Sequence, residues 1–129
     1  MRVLLDTHCW LWLVGEPERL SELSRQLLRD RDSELFLSAA SAWEVAIKFA
    51  LGRLRLPQAP AALVTQWMAE DRVGALPILH VHTLRAGELP RHHGDPFDRL
   101  LVAQAQIEGL TLLTADRQFA KYDVAIHWA

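Results

Sequence analysis

Thiol chemistry is nearly absent from this chain. Cys9 is its one cysteine, so no internal disulfide can form, and a reducing, cytoplasmic setting is the natural expectation. Cys9 also lacks a neighbouring motif that would make it a nucleophile and reads as a small buried hydrophobe. Long apolar runs are missing too. Nothing approaches the roughly 18 uninterrupted residues that a membrane span requires. In the opening "MRVLLDTHCWLWLVGEPERL", Asp6 and His8 interrupt the run too early for a signal peptide, and no small-residue cleavage site follows. Repeats, low-complexity tracts and Pro/Gly/Ser linkers are absent, so residues 1–129 read as one domain with one core. Surplus positive charge is lacking as well. A formal net charge of −2 excludes a protein that grips nucleic acid by bulk charge. It leaves room for a local basic surface, because twelve of the fourteen basic residues are arginine, the side chain shaped to fork onto phosphate.

Half of the residues are hydrophobic, and they fall into short blocks. "RVLL" (2–5), "ELFLS" (34–38), "LPILHV" (76–81), "LTLLT" (110–114) and "DVAIHW" (123–128) have strand length and are rich in Leu, Ile and Val, as strands buried on both faces are. Helical patterns lie between them. "SAWEVAIKFALGRL" brings Trp43, Ala46, Ile47, Ala50 and Leu51 to helical spacing and stops at Gly52. "APAALVTQWMAED" gathers Leu63, Val64, Trp67 and Met68 on one side. "DPFDRLLVAQAQIEG" has proline near its first helical position and ends at Gly109. Strands alternating with helices predict an α/β domain around a mostly parallel sheet of about five strands, since parallel neighbours need crossovers of this length.

The acids recur in one kind of place. Asp6 ends the first predicted strand. Glu44 lies a few residues past the second, in the first turn of its helix. Asp98 sits in the first turn of the helix before the fourth strand, and Asp116, in "LLTADRQF", follows that strand directly. Sites in open α/β sheets form in the crevice outside the carboxyl ends of the strands. Taken singly, each acid has a structural explanation. Ser41–Glu44 and Asp95-Pro-Phe-Asp98 match the capping-box spacing, and Glu44 can pair with Lys48 one turn later. Taken together, on adjacent strands, they strain that explanation. Two unit charges roughly 5 Å apart repel by about 3 kcal/mol at an effective dielectric near 20, so converging carboxylates must bind protons or share a cation. Oxygen-only ligands favour Mg²⁺ or Mn²⁺ over zinc, and His8, His80 and His82 form no zinc spacing. An ion in such a crevice can neutralise a phosphate and supply a water nucleophile, the chemistry of phosphodiester hydrolysis.

"VLLDTHCWLWL", "SAASAWEVAIKFALGRL" and "DPFDRLLVAQAQIEGLTLLTADRQF", in that order, resemble PIN-domain proteins, specifically the VapC-type ribonuclease toxins of bacterial toxin–antitoxin pairs. The resemblance runs from Met1 to about Trp128. It implies a PIN-like α/β/α sandwich, endoribonuclease activity dependent on Mg²⁺ or Mn²⁺, a homodimer, and inhibition by a cognate antitoxin. On the same match Asp6, Glu44, Asp98 and Asp116 take the places of the family's four metal-site acids. Asp6 and Asp98 would then be the principal ligands, with Glu44 and Asp116 acting directly or through water and Glu44 as the candidate base. Asp95 reads as the N-cap of the helix that carries Asp98; its other reading is a holder of a metal-bound water.

Several neighbours have two readings each. Thr7 and Thr114 flank the acids and either cap helices or orient ligands and waters through their hydroxyls. Arg53 and Arg55 follow Gly52 on a loop suited to RNA phosphate. Arg99, directly after Asp98, either reaches RNA or lies along its neighbours and pairs with a surface acid. His92 and His93 read as solvated loop residues, the alternative being phosphate contact when protonated. "HCWLWLVG" is apolar around most of its circumference, so it is buried in the core or covered by another chain, a second copy or the antitoxin. Two further functions compete with the nuclease. An aspartate-dependent phosphatase or phosphotransferase would also use a strand-end acid, but "LLDTHCW" lacks a second aspartate two residues after Asp6. A non-catalytic RNA-binding or protein-interaction module on the same fold is disfavoured by the presence of all four acids.

Overall fold

The computed structural model describes residues 1–129. Its strands β1 (Arg2–Leu5), β2 (Glu34–Ser38), β3 (Val73–Leu76), β4 (Thr111–Thr114) and β5 (Ile126–Trp128) form one sheet in the order β3-β2-β1-β4-β5. Every neighbouring pair is parallel. Each connection must therefore return to the starting edge, and helices make most of these crossovers. They are α1 (Thr7–Gly15), α2 (Glu22–Arg29), α3 (Ala39–Ala50), α4 (Pro60–Glu70), α5 (His80–Glu88) and α6 (Pro96–Glu108), with 3₁₀ turns η1 (Pro17–Arg19) and η2 (Arg117–Lys121). No helix is long and apolar enough to cross a membrane.

Side chains alternate across the sheet with the period of two that a strand imposes. Val3, Leu5, Leu35, Leu37 and Leu113 face one side, against Cys9 and Trp10 of α1, Val45 of α3 and Val64 of α4. Leu4 and Leu112 face the other, against Leu101, Val102 and Ala105 of α6 and Phe119 of η2. Central β1 is covered on both faces, which is why Val3, Leu4 and Leu5 are all fully buried and why its sequence shows no polar alternation. The architecture is the expected α/β/α sandwich.

Three boundaries differ from the sequence reading. "LPILHV" is not a strand. β3 ends at Leu76, before Pro77, and α5 begins at His80. A short apolar run has no periodicity that separates strand from helix, and a buried histidine decides the matter. His82 accepts the Leu79 N–H on Nδ1 at 3.0 Å and bonds Glu108 of α6 through Nε2 at 2.9 Å, which caps α5 and ties it to α6. β5 starts at Ile126 rather than at Asp123. α3 starts earlier than expected, because Ser38 is its N-cap and accepts the Ala40 N–H at 3.0 Å. Ser41 is therefore inside the helix, no capping box forms there, and Glu44 falls in the second turn. The predicted glycine stops hold: Gly52 and Gly109 have φ of +69° and +66°. Helix α1 is buried on its inner side only, through Thr7, Cys9 and Trp10; Leu11 to Val14 are half-buried, and the Arg19 guanidinium lies 4.5 Å from the centre of the Trp12 ring.

Two-sided burial of β1 predicts that Leu4→Ala lowers stability by about 2–5 kcal/mol, the range for emptying a well-packed leucine site. Urea unfolding with an unchanged m-value checks this, and a loss below about 1 kcal/mol would contradict the packing described.

Candidate active site

The strand order reverses between β1 and β4: successive strands run outward from β1 through β2 to β3, and then from β4 to β5. The crevice outside the carboxyl ends of such a pair is where an open α/β sheet binds ligands. Asp6 stands there. Its backbone N–H donates to the Leu113 carbonyl of β4 at 2.9 Å. Although Asp6 occupies the N-cap position of α1, its side chain makes no capping bond. Its Oδ2 instead accepts the Thr114 hydroxyl at 2.8 Å, and the same Thr114 Oγ1 accepts the Asp116 N–H at 3.0 Å. One fully buried hydroxyl thus links the acids on either side of the reversal. Thr114 caps no helix; its hydroxyl is bonded to the Asp6 carboxylate instead. Thr7 caps nothing either; its hydroxyl donates to Ser41 Oγ at 2.8 Å and ties α1 to α3.

The remaining acids arrive on helices. Glu44 of α3 is largely buried and lies 3.1 Å from Lys48 Nζ, one turn away as the spacing suggested. Asp95 is the N-cap of α6, and its Oδ1 accepts the N–H groups of Phe97 at 2.9 Å and of Asp98 at 3.2 Å. Capping is therefore done by Asp95, which leaves the Asp98 carboxylate free to face the crevice. Asp116 follows β4 and caps η2, its Oδ1 accepting the Gln118 N–H at 3.0 Å.

His93 is a residue that sequence reasoning misplaced. Its side chain is 10% exposed, not a solvated loop group, with Nε2 3.2 Å from Asp98 Oδ2 and Nδ1 2.8 Å from the Tyr122 hydroxyl. A ring protonated on Nε2 alone satisfies both contacts, donating to Asp98 and accepting from Tyr122. The signal available was "HHGDPFD", a histidine five residues before the acid, but only the loop closure brings the two together. Arg99 is also redirected. Its guanidinium donates at 2.9 Å to the carbonyls of Ala86, Leu89 and Pro90, closing the exposed end of α5. It pairs with no surface acid, the second of the two roles the sequence offered. Arg53 and Arg55 are exposed beyond Gly52, as expected.

The acids share one electrostatic field. Burial pushes the Asp98 carboxyl up to about 8, and the charges of Asp95, Asp6, Asp116 and Glu44 add to the rise. An N–H donated by His93 favours the charged form and works against that rise. Burial also raises Asp6, against the Thr114 hydrogen bond, with Glu44 adding a smaller push upward. The Cys9 thiol is driven up to about 12, by burial first and by the Asp6 charge second, which removes it as a nucleophile. No three His, Cys, Asp or Glu side chains stand together as a ready-made metal cage. The donors nonetheless fit a hard divalent ion: they are carboxylate oxygens that act on one another electrostatically, and magnesium keeps several waters while taking only one or two carboxylates. Asp6 and Asp116 open on a cavity of about 230 Å³ shared with His8 and Trp12. Glu44 and Asp95 open on one of about 470 Å³.

A wholly parallel α/β/α sandwich with acids gathered at its strand-order reversal defines an acidic-edge α/β domain. The chain belongs to the PIN-domain family, whose sequence model matches residues 3–125. It is similar to Ribonuclease VapC22 of Mycobacterium tuberculosis, 34% identical over 123 residues that cover 93% of this chain and 91% of that protein. Ribonuclease VapC16 of the same organism is 38% identical over 87 residues, 60% of this chain and 62% of the relative. Among solved structures, VapBC2 from Rickettsia felis bound to a promoter DNA fragment superposes with a TM-score of 0.75 at 15% identity, covering 99% of this chain and 98% of that one. DNA-bound VapBC from Salmonella typhimurium gives 0.74 at 15% identity with the same coverage. At that identity the two structures establish the shared fold.

The raised Asp98 value has a measurable consequence. Because the folded protein holds this proton up to about pH 8 while an unfolded aspartate releases it near 3.8, the native state binds more protons between those values. Stability in EDTA therefore falls as pH rises through this window. Urea midpoints at constant ionic strength check the slope; Asp98→Asn flattens it, and an identical slope in that variant would show that Asp98 does not carry it.

Proposed function

We propose that this protein is a Mg²⁺- or Mn²⁺-dependent endoribonuclease, the toxin of a toxin–antitoxin pair. The observation that carries the reading is the crowding of Asp6, Glu44, Asp98 and Asp116 into one partly buried field at the strand-order reversal. Similarity to a ribonuclease along nearly the whole chain supports the activity, and structural neighbours that are VapBC complexes support an antitoxin partner. A homodimer in the cytoplasm completes the assignment.

Asp6 and Asp98 are the principal ligands, and Glu44 and Asp116 act directly or through water. When bound, the ion neutralises the scissile phosphate and lowers the pKa of a water, which makes phosphodiester hydrolysis feasible near neutral pH. The protein's own groups do the positioning. Thr114 steadies one oxygen of Asp6, and His93 steadies one of Asp98 while itself held by Tyr122. Glu44, kept in place by Lys48, is the candidate base that takes a proton from the attacking water. Arg53 and Arg55 supply exposed charge for the RNA backbone. Attack in line on phosphorus breaks the bond to the 3′ oxygen, which takes up a proton, and the products carry a 5′-phosphate and a 3′-hydroxyl.

The test is cleavage of a total RNA pool by antitoxin-free protein with Mn²⁺, with Mg²⁺ and with EDTA. Discrete cuts are expected that vanish in EDTA. They fall by more than about 100-fold in Asp98→Asn, beyond the range that outer-shell partners of a metal cost. Asp95→Asn keeps both the cap and the activity, since asparagine is an equally good N-cap. Equal losses in the two variants would remove the distinction drawn between these acids, and cuts that survive both EDTA and Asp98→Asn would sink the metal-dependent mechanism.

A further inference from the structure

Arg99, Tyr122, His93 and Asp98 form a circuit of side-chain hydrogen bonds that starts and ends on neighbouring residues of α6. Arg99 Nη1 lies 3.4 Å from the Tyr122 hydroxyl. That hydroxyl lies 2.8 Å from His93 Nδ1, and His93 Nε2 lies 3.2 Å from Asp98 Oδ2. Tyr122, at the end of η2, is buried, and the His93 side chain nearly so. The imidazole is also fixed in place, packed against the rings of Phe119 and Tyr122 at centroid distances of 6.3 and 5.4 Å.

The donors give this circuit a direction. A guanidinium carries donors only, so Arg99 obliges the Tyr122 oxygen to accept, and the phenol proton must point elsewhere. Two acceptors are in reach, His93 Nδ1 at 2.8 Å and the His93 carbonyl at 3.5 Å. The second distance is at the margin of bonding, so Nδ1 takes the proton. Nδ1 is then an acceptor, and the proton of the ring sits on Nε2, where it is donated to Asp98. The opposite tautomer aims a bare Nε2 at a carboxylate oxygen. It also aims a second donor at a phenol oxygen that already accepts from Arg99.

We infer that Tyr122, oriented by Arg99, is a positioning residue that acts on Asp98 through His93, selecting the imidazole tautomer that keeps Asp98 an acceptor. The inference rests on the metal-dependent reading and adds to it two residues outside the acid cluster. A carboxylate has no sharp rotamer wells about its last torsion. A donor on Oδ2 fixes its plane and leaves Oδ1 for a ligand, the way in which groups behind a metal ligand orient it. Arg99 is itself held by the carbonyls of Ala86, Leu89 and Pro90. The orientation of Asp98 is therefore anchored on α5 as well as on its own helix.

Ring-nitrogen NMR of the protein in EDTA tests the direction, and calorimetric titration with Mn²⁺ tests its consequence. At a pH above the Asp98 value of about 8, long-range ¹H–¹⁵N spectra show His93 with a protonated Nε2 and a bare Nδ1. Tyr122→Phe removes the hydroxyl and keeps the ring, and Arg99→Lys cannot reach three carbonyls and the phenol together; each gives a mixture of the two tautomers. Mn²⁺ affinity falls by about 10- to 100-fold in His93→Ala, the range for a group that holds a metal ligand. It falls by about 2- to 10-fold in Tyr122→Phe, the equivalent of one hydrogen bond. His93→Gln, whose amide N–H stands in for Nε2, recovers most of the loss, and in that background Tyr122→Phe has no further effect. A bare Nε2 in the wild type, an unmixed tautomer in either variant, or a Tyr122→Phe that lowers only the Tm overturns the inference. A wild type that binds no Mn²⁺ removes the metal site and the role of Tyr122 with it. One that binds Mn²⁺ with an affinity indifferent to Tyr122 removes the positioning role and leaves the metal site.

Discussion

Mutual repulsion among carboxylates at the carboxyl edge of a parallel sheet is the constraint around which this molecule is arranged. Asp6 is 5% exposed and Asp98 is mostly buried, yet neither is paired with an arginine or lysine. The protein does supply partners, but each is weaker than a full opposite charge or belongs to a different acid. Thr114 gives Asp6 a hydroxyl, His93 gives Asp98 a ring nitrogen, and Lys48 serves Glu44. What remains is a site short of positive charge. Burial answers the deficit by favouring the protonated form of Asp98 and, in the same direction, of Asp6.

The fold lessens the repulsion in a way that follows from its topology. In a parallel sheet with helical crossovers, a helix that directly follows a strand begins at the strand's carboxyl end, so its positive N-terminus faces the same edge as the acids. Asp6 sits at the start of α1 and Asp116 at the start of η2. Asp98 lies in the first turn of α6, whose N-cap is Asp95. The hydrophobic core fixes these starting points. Val3, Leu4 and Leu5 are locked between the two helical layers, and the next residue, Asp6, emerges at the edge with no freedom in where it stands. Rigid placement of like charges is what keeps them from relaxing apart.

Around this centre the polar residues divide into those that hold the scaffold and those that face outward. Arg99 and His82 look available in the sequence but are occupied by backbone groups, one by the carbonyls ending α5 and the other by the N–H that precedes it. Arg53, Arg55 and Trp43 stay open to solvent beside the acidic crevice. The acidic crevice therefore has a margin of exposed cations and an exposed indole.

Much of this was legible in the sequence because it depends on local chemistry. Four of the five strand positions, the glycine stops at Gly52 and Gly109, the Asp95 cap and the placement of Asp6 and Asp116 after strands follow from runs, turn residues and spacing that act over a few positions. The failures have the opposite character. "LPILHV" became a loop and a helix because His82 reaches Glu108, 26 residues away. Thr114 turned from a cap into the partner of Asp6, 108 residues distant, and His93 left the solvent because Tyr122 and Asp98 close around it. The amino-acid sequence by itself determined the alternation of elements and which acids lie at their ends. Only the tertiary structure decided which hydroxyl, ring or ammonium each acid meets, because those contacts depend on the strand order, and the order is set by packing both faces of β1 at once.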